Sequence, residues 1–349
     1  MSNVPNNEDL TKTKVVQNAS NDTVAISSSS NETAVAQPDL GDMPKEFGRY
    51  RILRKLGEGG MGAVFLALDT KLDRRVALKT PAFARQEDEQ IIKRFLREAK
   101  AAATIAHPNV CPIFDFGEFE GRHYLTMAFV EGCELAEWVQ LQDDIPPETA
   151  LQIVKKIAMG LQAAHNAGVV HRDLKPGNVM MNSEGEPIIM DFGMVRLIDS
   201  DETILTPTGT MVGTPAYMAP EQILAERDTI GPTTDLYSLG VIMYELLTGW
   251  PPFSGSLATM LGTIVSDPPP QLQMHCPDLD ERLNRLCLKE LSKQQSDRYQ
   301  TGQEFADAID AWLSGEMAEP ADETKRTDQA ENAAAEPGFL RRIWKSIAG

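Results

Sequence analysis

Residues 171–178 read His-Arg-Asp-Leu-Lys-Pro-Gly-Asn, and residues 191–193 read Asp-Phe-Gly. The second string alone carries little, because any long chain holds three-residue matches by chance. Its weight comes from order and spacing. Upstream stands Gly57-Glu-Gly-Gly-Met-Gly-Ala-Val64, an uninterrupted G-x-G-x-x-G-x-V. Glycine lets a backbone come close to a phosphate and take conformations that a side chain forbids. Dinucleotide-binding folds share the G-x-G-x-x-G run, but there it opens a helix. Here the apolar Val64-Phe-Leu-Ala-Leu68 follows, then an Asp-Thr-Lys-Leu-Asp turn, then Val76-Ala-Leu-Lys79, a strand–loop–strand order.

Taken together, these strings resemble the eukaryotic-like (Hanks-type) protein Ser/Thr kinases, most closely their bacterial branch, over about residues 50–313. The resemblance implies an α+β, two-lobed protein kinase fold, with ATP in the cleft between the lobes. The N-lobe is expected to be small and β-rich with one helix, and the C-lobe larger and mainly helical from about Cys133. Roles follow in the same way. Asp173 orients the acceptor hydroxyl and takes its proton, and Lys175 reaches the transferred phosphate. Asn178 and Asp191 offer the oxygen ligands that Mg²⁺ (or Mn²⁺) requires. Lys79 holds the α- and β-phosphates and pairs with a glutamate of the next helix. Residues 88–106 repeat apolar positions at three- and four-residue steps, and Glu98 lies among them as the expected partner. Glu87 and Glu89 fall at the helix start, where the dipole favours acids anyway.

The same resemblance supplies a nucleotide pocket. Gly57, Glu58, Gly59, Gly60, Met61 and Gly62 form the loop over the phosphates. Val64 and Ala77 are its ceiling and Met180 its floor. Tyr124-Leu-Thr-Met-Ala-Phe-Val130 matches a fifth strand running into the hinge, with Met127 as gatekeeper and the backbones of Ala128 and Val130 on the adenine edge. Glu134 matches a residue that touches ribose or substrate. Lys-Pro after Asp-Leu is what Ser/Thr kinases carry, so the acceptor is expected to be a Ser or Thr hydroxyl. The activation segment should run from Asp191 to Ala219-Pro-Glu221. Thr206 and Thr208 are its expected autophosphorylation sites, because a phosphate adds about −1.5 to −2 charge and would face Arg172. Gly213, Thr214 and Pro215 form the expected substrate loop. Glu221 should pair with Arg298, and Asp235 should cap the catalytic loop, since buried charges need partners.

Composition bounds the rest. The 349 residues are 42% hydrophobic and 24% charged, which suits one two-lobed domain over 46–313 with tails. A net charge of −18 argues against a nucleic-acid partner, whose phosphates need a basic face. The four cysteines show no CxxC spacing, as expected in a reducing cytoplasm. Residues 1–45 are rich in Asn, Ser and Thr without periodicity and read as a disordered tail, not a secretory signal. Residues 314–337 read as an acidic linker. The final 338–349 stretch places Phe339, Leu340, Ile343, Trp344 and Ile347 on one helical face and Arg341, Arg342 and Lys345 on the other. That pattern suits docking on a membrane surface or a protein partner, or folding back on the kinase, and is too short to span a bilayer. Expected partners are protein substrates, and a transient second copy of the chain is a candidate for phosphorylation in trans. The rival reading is a pseudokinase scaffold that binds nucleotide without transfer; loss of Lys79, Asp173 or Asp191 would favour it, and all three are present.

Overall fold

Along the early strands, apolar side chains divide between two faces, because successive strand residues point to opposite sides. The computed structural model describes residues 43–59, 62–81, 89–192 and 215–316. Strands β1 (Glu46–Phe47), β2 (Tyr50–Gly59), β3 (Gly62–Asp69), β4 (Arg74–Pro81), β5 (Ile113–Phe119) and β6 (Arg122–Ala128) form an antiparallel sheet in the order β1-β2-β3-β4-β6-β5. Within β4, Val76 and Leu78 enter one core with Phe47, Tyr50, Ile52 and Phe65, while Ala77 enters a second with Leu125 and Met127. Helix α1 (Glu89–Ala102) closes that second core with Phe95 and Ala99. Strand twist curls the sheet until its ends meet. Phe47 packs edge-on against Phe119 at 5.0 Å, and the Tyr50 hydroxyl donates to Asp115 at 3.0 Å.

Two boundaries differ from those read in the sequence. Met43, expected in the tail, is buried in the Phe47 core. Helix α1 stops at Ala102 because its last turn tightens: Thr104 and Ile105 donate to carbonyls three residues back, and the Thr104 hydroxyl takes the Ala101 carbonyl. The hinge strand is the sixth in chain order, since short β1 precedes β2.

A small sheet of β7 (Gly132–Glu134), β8 (Val179–Asn182) and β9 (Pro187–Ile189) opens the C-lobe. Its helices are α2 (Leu135–Gln140), α3 (Pro147–Asn166), α4 (Pro220–Ile223), α5 (Pro232–Thr248), α6 (Leu257–Ser266), α7 (Glu281–Glu290) and α8 (Gly302–Leu313). Helix α5 is buried along nearly its whole length and lacks a polar face, as a central core helix must. It starts with proline at the first turn and ends on Gly249 at φ +79°, a left-handed cap that favours glycine. Helices α3 and α8 meet at Gly302, where a Cβ would lie 2.4 Å from the Ala158 carbonyl oxygen.

Candidate active site

The catalytic-loop residues 171–178 lie between α3 and β8, and their backbone is under strain. Arg172 has φ +68° and Asp191 φ +55°, a region that non-glycine residues rarely occupy. Such conformations cost about 1–3 kcal/mol each and persist only where neighbours over-determine them. Asp235 of α5 does so from beneath. It is fully buried, and its two oxygens accept the His171 and Arg172 N–H groups, both at 2.7 Å. His165 of α3 holds the same carboxylate through Nε2 at 2.8 Å. Above, the Gln222 amide donates to the Arg172 carbonyl at 2.7 Å. Leu174, 1% exposed, plugs the loop into the C-lobe core.

His171 joins this loop to the next. Its Nδ1 accepts from the Asp173 N–H at 3.3 Å, which leaves the proton on Nε2 to donate to the Met190 carbonyl at 2.8 Å. The Asn178 carbonyl in turn accepts from Met190 N–H. Phe192 is buried edge-on against His171 at 4.9 Å. Asp191 therefore emerges beside Asn178 with its backbone set by both contacts.

The functional side chains converge at this junction. Lys175 Nζ donates to Asp173 Oδ2 at 2.9 Å, and Asn178 Nδ2 donates to the same oxygen at 3.0 Å and to the Asp173 carbonyl at 2.7 Å. From the N-lobe, buried Lys79 reaches Asp191 Oδ2 at 2.8 Å. Glu98 occupies a half-buried position on α1. With its amide nitrogen committed to Asp173, Asn178 presents its side-chain oxygen, and Asp191 presents the oxygen not held by Lys79. One amide and one carboxylate oxygen on adjoining segments form a hard donor pair, of the chemistry that a divalent cation takes.

Five of the residues expected to line a nucleotide pocket pack together, and Met180 lies apart from them. Val64, Ala77, Met127, Ala128 and Val130 belong to one apolar cluster, which Ile188 and Met190 complete from the C-lobe. Met180 pairs with Glu134 across β7 and β8. Among the described residues, the Val130 N–H and carbonyl take no backbone partner, whereas Ala128 N–H is held by Pro112 O at 3.0 Å. Cys111 is a buried member of this cluster, its thiol on the Ala128 carbonyl and pushed up to about 12 by burial, with the charge of Asp191 adding to the effect. Gly132 is needed for close approach: a Cβ there would stand 1.9 Å from the Met181 carbonyl oxygen. Gly57, Glu58 and Gly59 pair with Val64, Ala63 and Gly62 in a hairpin. Gly60 and Met61 at its tip lie outside the described residues, as do Thr206, Thr208, Gly213 and Thr214; Pro215 opens a single 3₁₀ turn ending at Tyr217.

Glu221 and Arg298 form the buried pair expected of them, bidentate at 2.8 and 2.9 Å, with the Thr234 hydroxyl on the same carboxylate. Sequence reasoning missed His165, Gln222 and the Tyr217–Glu245 contact, in which the Tyr217 hydroxyl donates at 2.7 Å. His165, Gln222 and Glu245 lie outside the strings that carry the resemblance, and each contact spans 28 to 70 positions of chain.

The protein kinase domain family matches residues 50–308. The serine/threonine-protein kinase PknA of Mycobacterium tuberculosis is 37% identical over 308 residues, covering 86% of this chain and 70% of that protein. PrkC of Bacillus subtilis, likewise a serine/threonine-protein kinase, is 36% identical over 259 residues, covering 74% and 39%. Among solved structures, the PknI kinase domain of M. tuberculosis superposes with a TM-score of 0.60 at 30% identity, covering 76% of this chain and 96% of that one.

Proposed function

The chain belongs to the protein kinase family and is an ATP-dependent protein serine/threonine kinase, and from that premise we propose which of its residues carry out the transfer. ATP and a divalent cation supply the phosphoryl group and the positive charge that offsets its oxygens. Asp173 is the proton acceptor. Lys175 and Asn178 both bond its Oδ2, which leaves Oδ1 for the substrate hydroxyl. Lys79, nearly dehydrated in its pocket, offers a fixed cation to the donor phosphates. Asn178 and Asp191 hold Mg²⁺ or Mn²⁺. Val64, Ala77, Met127 and Met180 enclose the adenine, whose edge bonds the Ala128 carbonyl and the Val130 backbone, since the Ala128 N–H is held by Pro112. Glu98 steadies Lys79 from α1. What carries this reading is the convergence of Lys175, Asn178 and Lys79 on the two carboxylates Asp173 and Asp191.

Regulation is assigned to Thr206 and Thr208, phosphorylated by a transiently paired second copy and held by Arg172. Protein substrates enter over Gly213, Thr214 and Pro215. Among the described residues no helix is long and apolar enough to cross a membrane. We place the enzyme in the cytoplasm, where ATP is available.

The test is autophosphorylation with ATP and Mg²⁺ or Mn²⁺, read by site-resolved mass spectrometry beside Asp173→Asn. Phosphate on Thr206 or Thr208 should appear in the wild type and fall by about 10²–10⁴-fold in the variant. Equal incorporation in both would remove Asp173 from its role.

A further inference from the structure

Helix α6 departs from the usual pattern of a surface helix, which turns charges outward. Its ten residues, Leu257-Ala-Thr-Met-Leu-Gly-Thr-Ile-Val-Ser266, carry no charge. Leu257, Met260, Leu261, Ile264 and Val265 share one stripe by their spacing, yet only Ile264 is buried. Leu257 is 37% exposed, and two further large apolar side chains at this end of the C-lobe stand open, Trp250 at 66% and Met274 at 74%. The turn bearing Met274 is tied to the end of α5, just before Trp250, by Cys276 on the Leu247 carbonyl and His275 edge-on to Tyr244. Scattered apolar residues need no explanation, but several open ones drawn from one run of chain, 250–274, mark a contact surface.

Charge and chain path indicate what covers it. Asp267 and Asp278 are exposed around the patch. Lys293, beside α6, is turned inward with its Nζ on the Ile264 carbonyl at 2.7 Å and over the Phe253 ring. The face is thus apolar with an acidic rim. The described chain leaves α8 at the same end: the Trp312 indole donates to Asp280 at 3.1 Å. Asp280 caps α7 directly after the Met274 turn, and Gln273 of that turn bonds Glu281 at 2.8 Å. From there about 25 residues lead to Phe339, a linker whose root-mean-square span of about 25–30 Å matches the length of a helix such as α3. Residues 338–349 bring the complementary chemistry, Phe339, Leu340, Ile343, Trp344 and Ile347 with Arg341, Arg342 and Lys345.

We propose that the segment 338–349 docks in cis on the apolar face formed by α6, Trp250 and Met274. The apolar side chains cover the stripe, the three cations meet the acidic rim, and the short linker raises the local concentration to the millimolar range. Helix α6 packs on α4 and on the Pro215–Tyr217 turn, so the docked segment lies next to the end of the substrate loop. The inference stands independently of the catalytic roles assigned above.

Hydrogen exchange of the full chain tests it. In the double variant Ile343→Asp/Trp344→Asp, amides of 257–266 and 272–276 should exchange at least roughly fivefold faster, with the thermal transition unchanged. The reciprocal variant Leu257→Asp, altered at an exposed position, should release 338–349 to a similar extent. Unaltered exchange in both variants overturns the proposal. Protection of α6 that disappears on dilution would assign the face to a second copy and overturn docking in cis. So would protection of 338–349 that arises only when vesicles of anionic phospholipid are added.

Discussion

Asp235 shows how one side chain can determine the state of a site it does not enter. Two left-handed residues, Arg172 and Asp191, bracket the junction where Asp173 and Asn178 meet, and the Asp235 carboxylate accepts the two N–H groups that fix the first of them. Replacing it by asparagine removes the charge and turns an NH₂ toward a backbone donor. Hydrogen bonds to charged groups contribute about 1.5–3 kcal/mol each, so Asp235→Asn should lower stability by about that amount. With the strain less opposed, kcat should fall about tenfold or more while the KM for ATP stays near wild type, a split that steady-state kinetics reads directly. Sequence alone identified Asp173, Asn178, Asp191 and Asp235 as candidates because each sits within a string of residues whose order carries the information. It could not find His165, which meets Asp235 across 70 positions and lies on a helix that otherwise reads as plain core packing.

At the scale of elements, the C-lobe is locked at two points. The Arg298 guanidinium spans Glu221 bidentately and also bonds the carbonyls of Ser292, Thr233 and Lys293, so it ties the start of α4 to α5 and to the segment after α7. Removing one partner strands a buried charge, and Arg298→Ala should cost about 3–5 kcal/mol by denaturant unfolding. Replacing both partners by apolar residues of similar size should cost clearly less than the sum of the two single variants, which a double-mutant cycle measures. The second point is Gly302. A Cβ cannot fit 2.4 Å from the Ala158 oxygen unless α3 and α8 separate, and Gly302→Val should lower stability by about 1–3 kcal/mol or more. The Glu221–Arg298 pair was legible because both residues stand in recognisable strings. The glycine contact was not, since nothing in the sequence near residue 302 says which helix lies against it.

For the molecule as a whole, pH stability turns on a buried acid. Glu290 is fully buried at the end of α7, holds only the Tyr299 N–H among the described residues, and is pushed by burial from 4.5 up to about 8. The folded chain therefore binds this proton more tightly than the unfolded one. The stabilisation is complete below about pH 4.5 and is lost as pH rises toward 8. Lys293 acts in the opposite sense and in a higher window: burial lowers it from 10.5 to about 8, so stability is regained as pH rises between those values. Melting temperature should decline from pH 5 to 8 in the wild type, and Glu290→Gln should flatten that slope and raise the transition at pH 8. An unchanged slope would show that Glu290 is already ionised in the fold. By itself the sequence determined the family and the two-lobed α+β plan, and it singled out the residues proposed for the chemistry, because phosphoryl transfer demands particular functional groups at short, fixed spacings. Only the tertiary structure decided that Lys79 reaches Asp191, that His165 and Asp235 support the strained loop, and that the stripe of α6 is left half covered. Those outcomes depend on where distant segments pack, and packing selects partners by shape and by the cost of leaving a buried polar group unpaired, neither of which is written in any local stretch of chain.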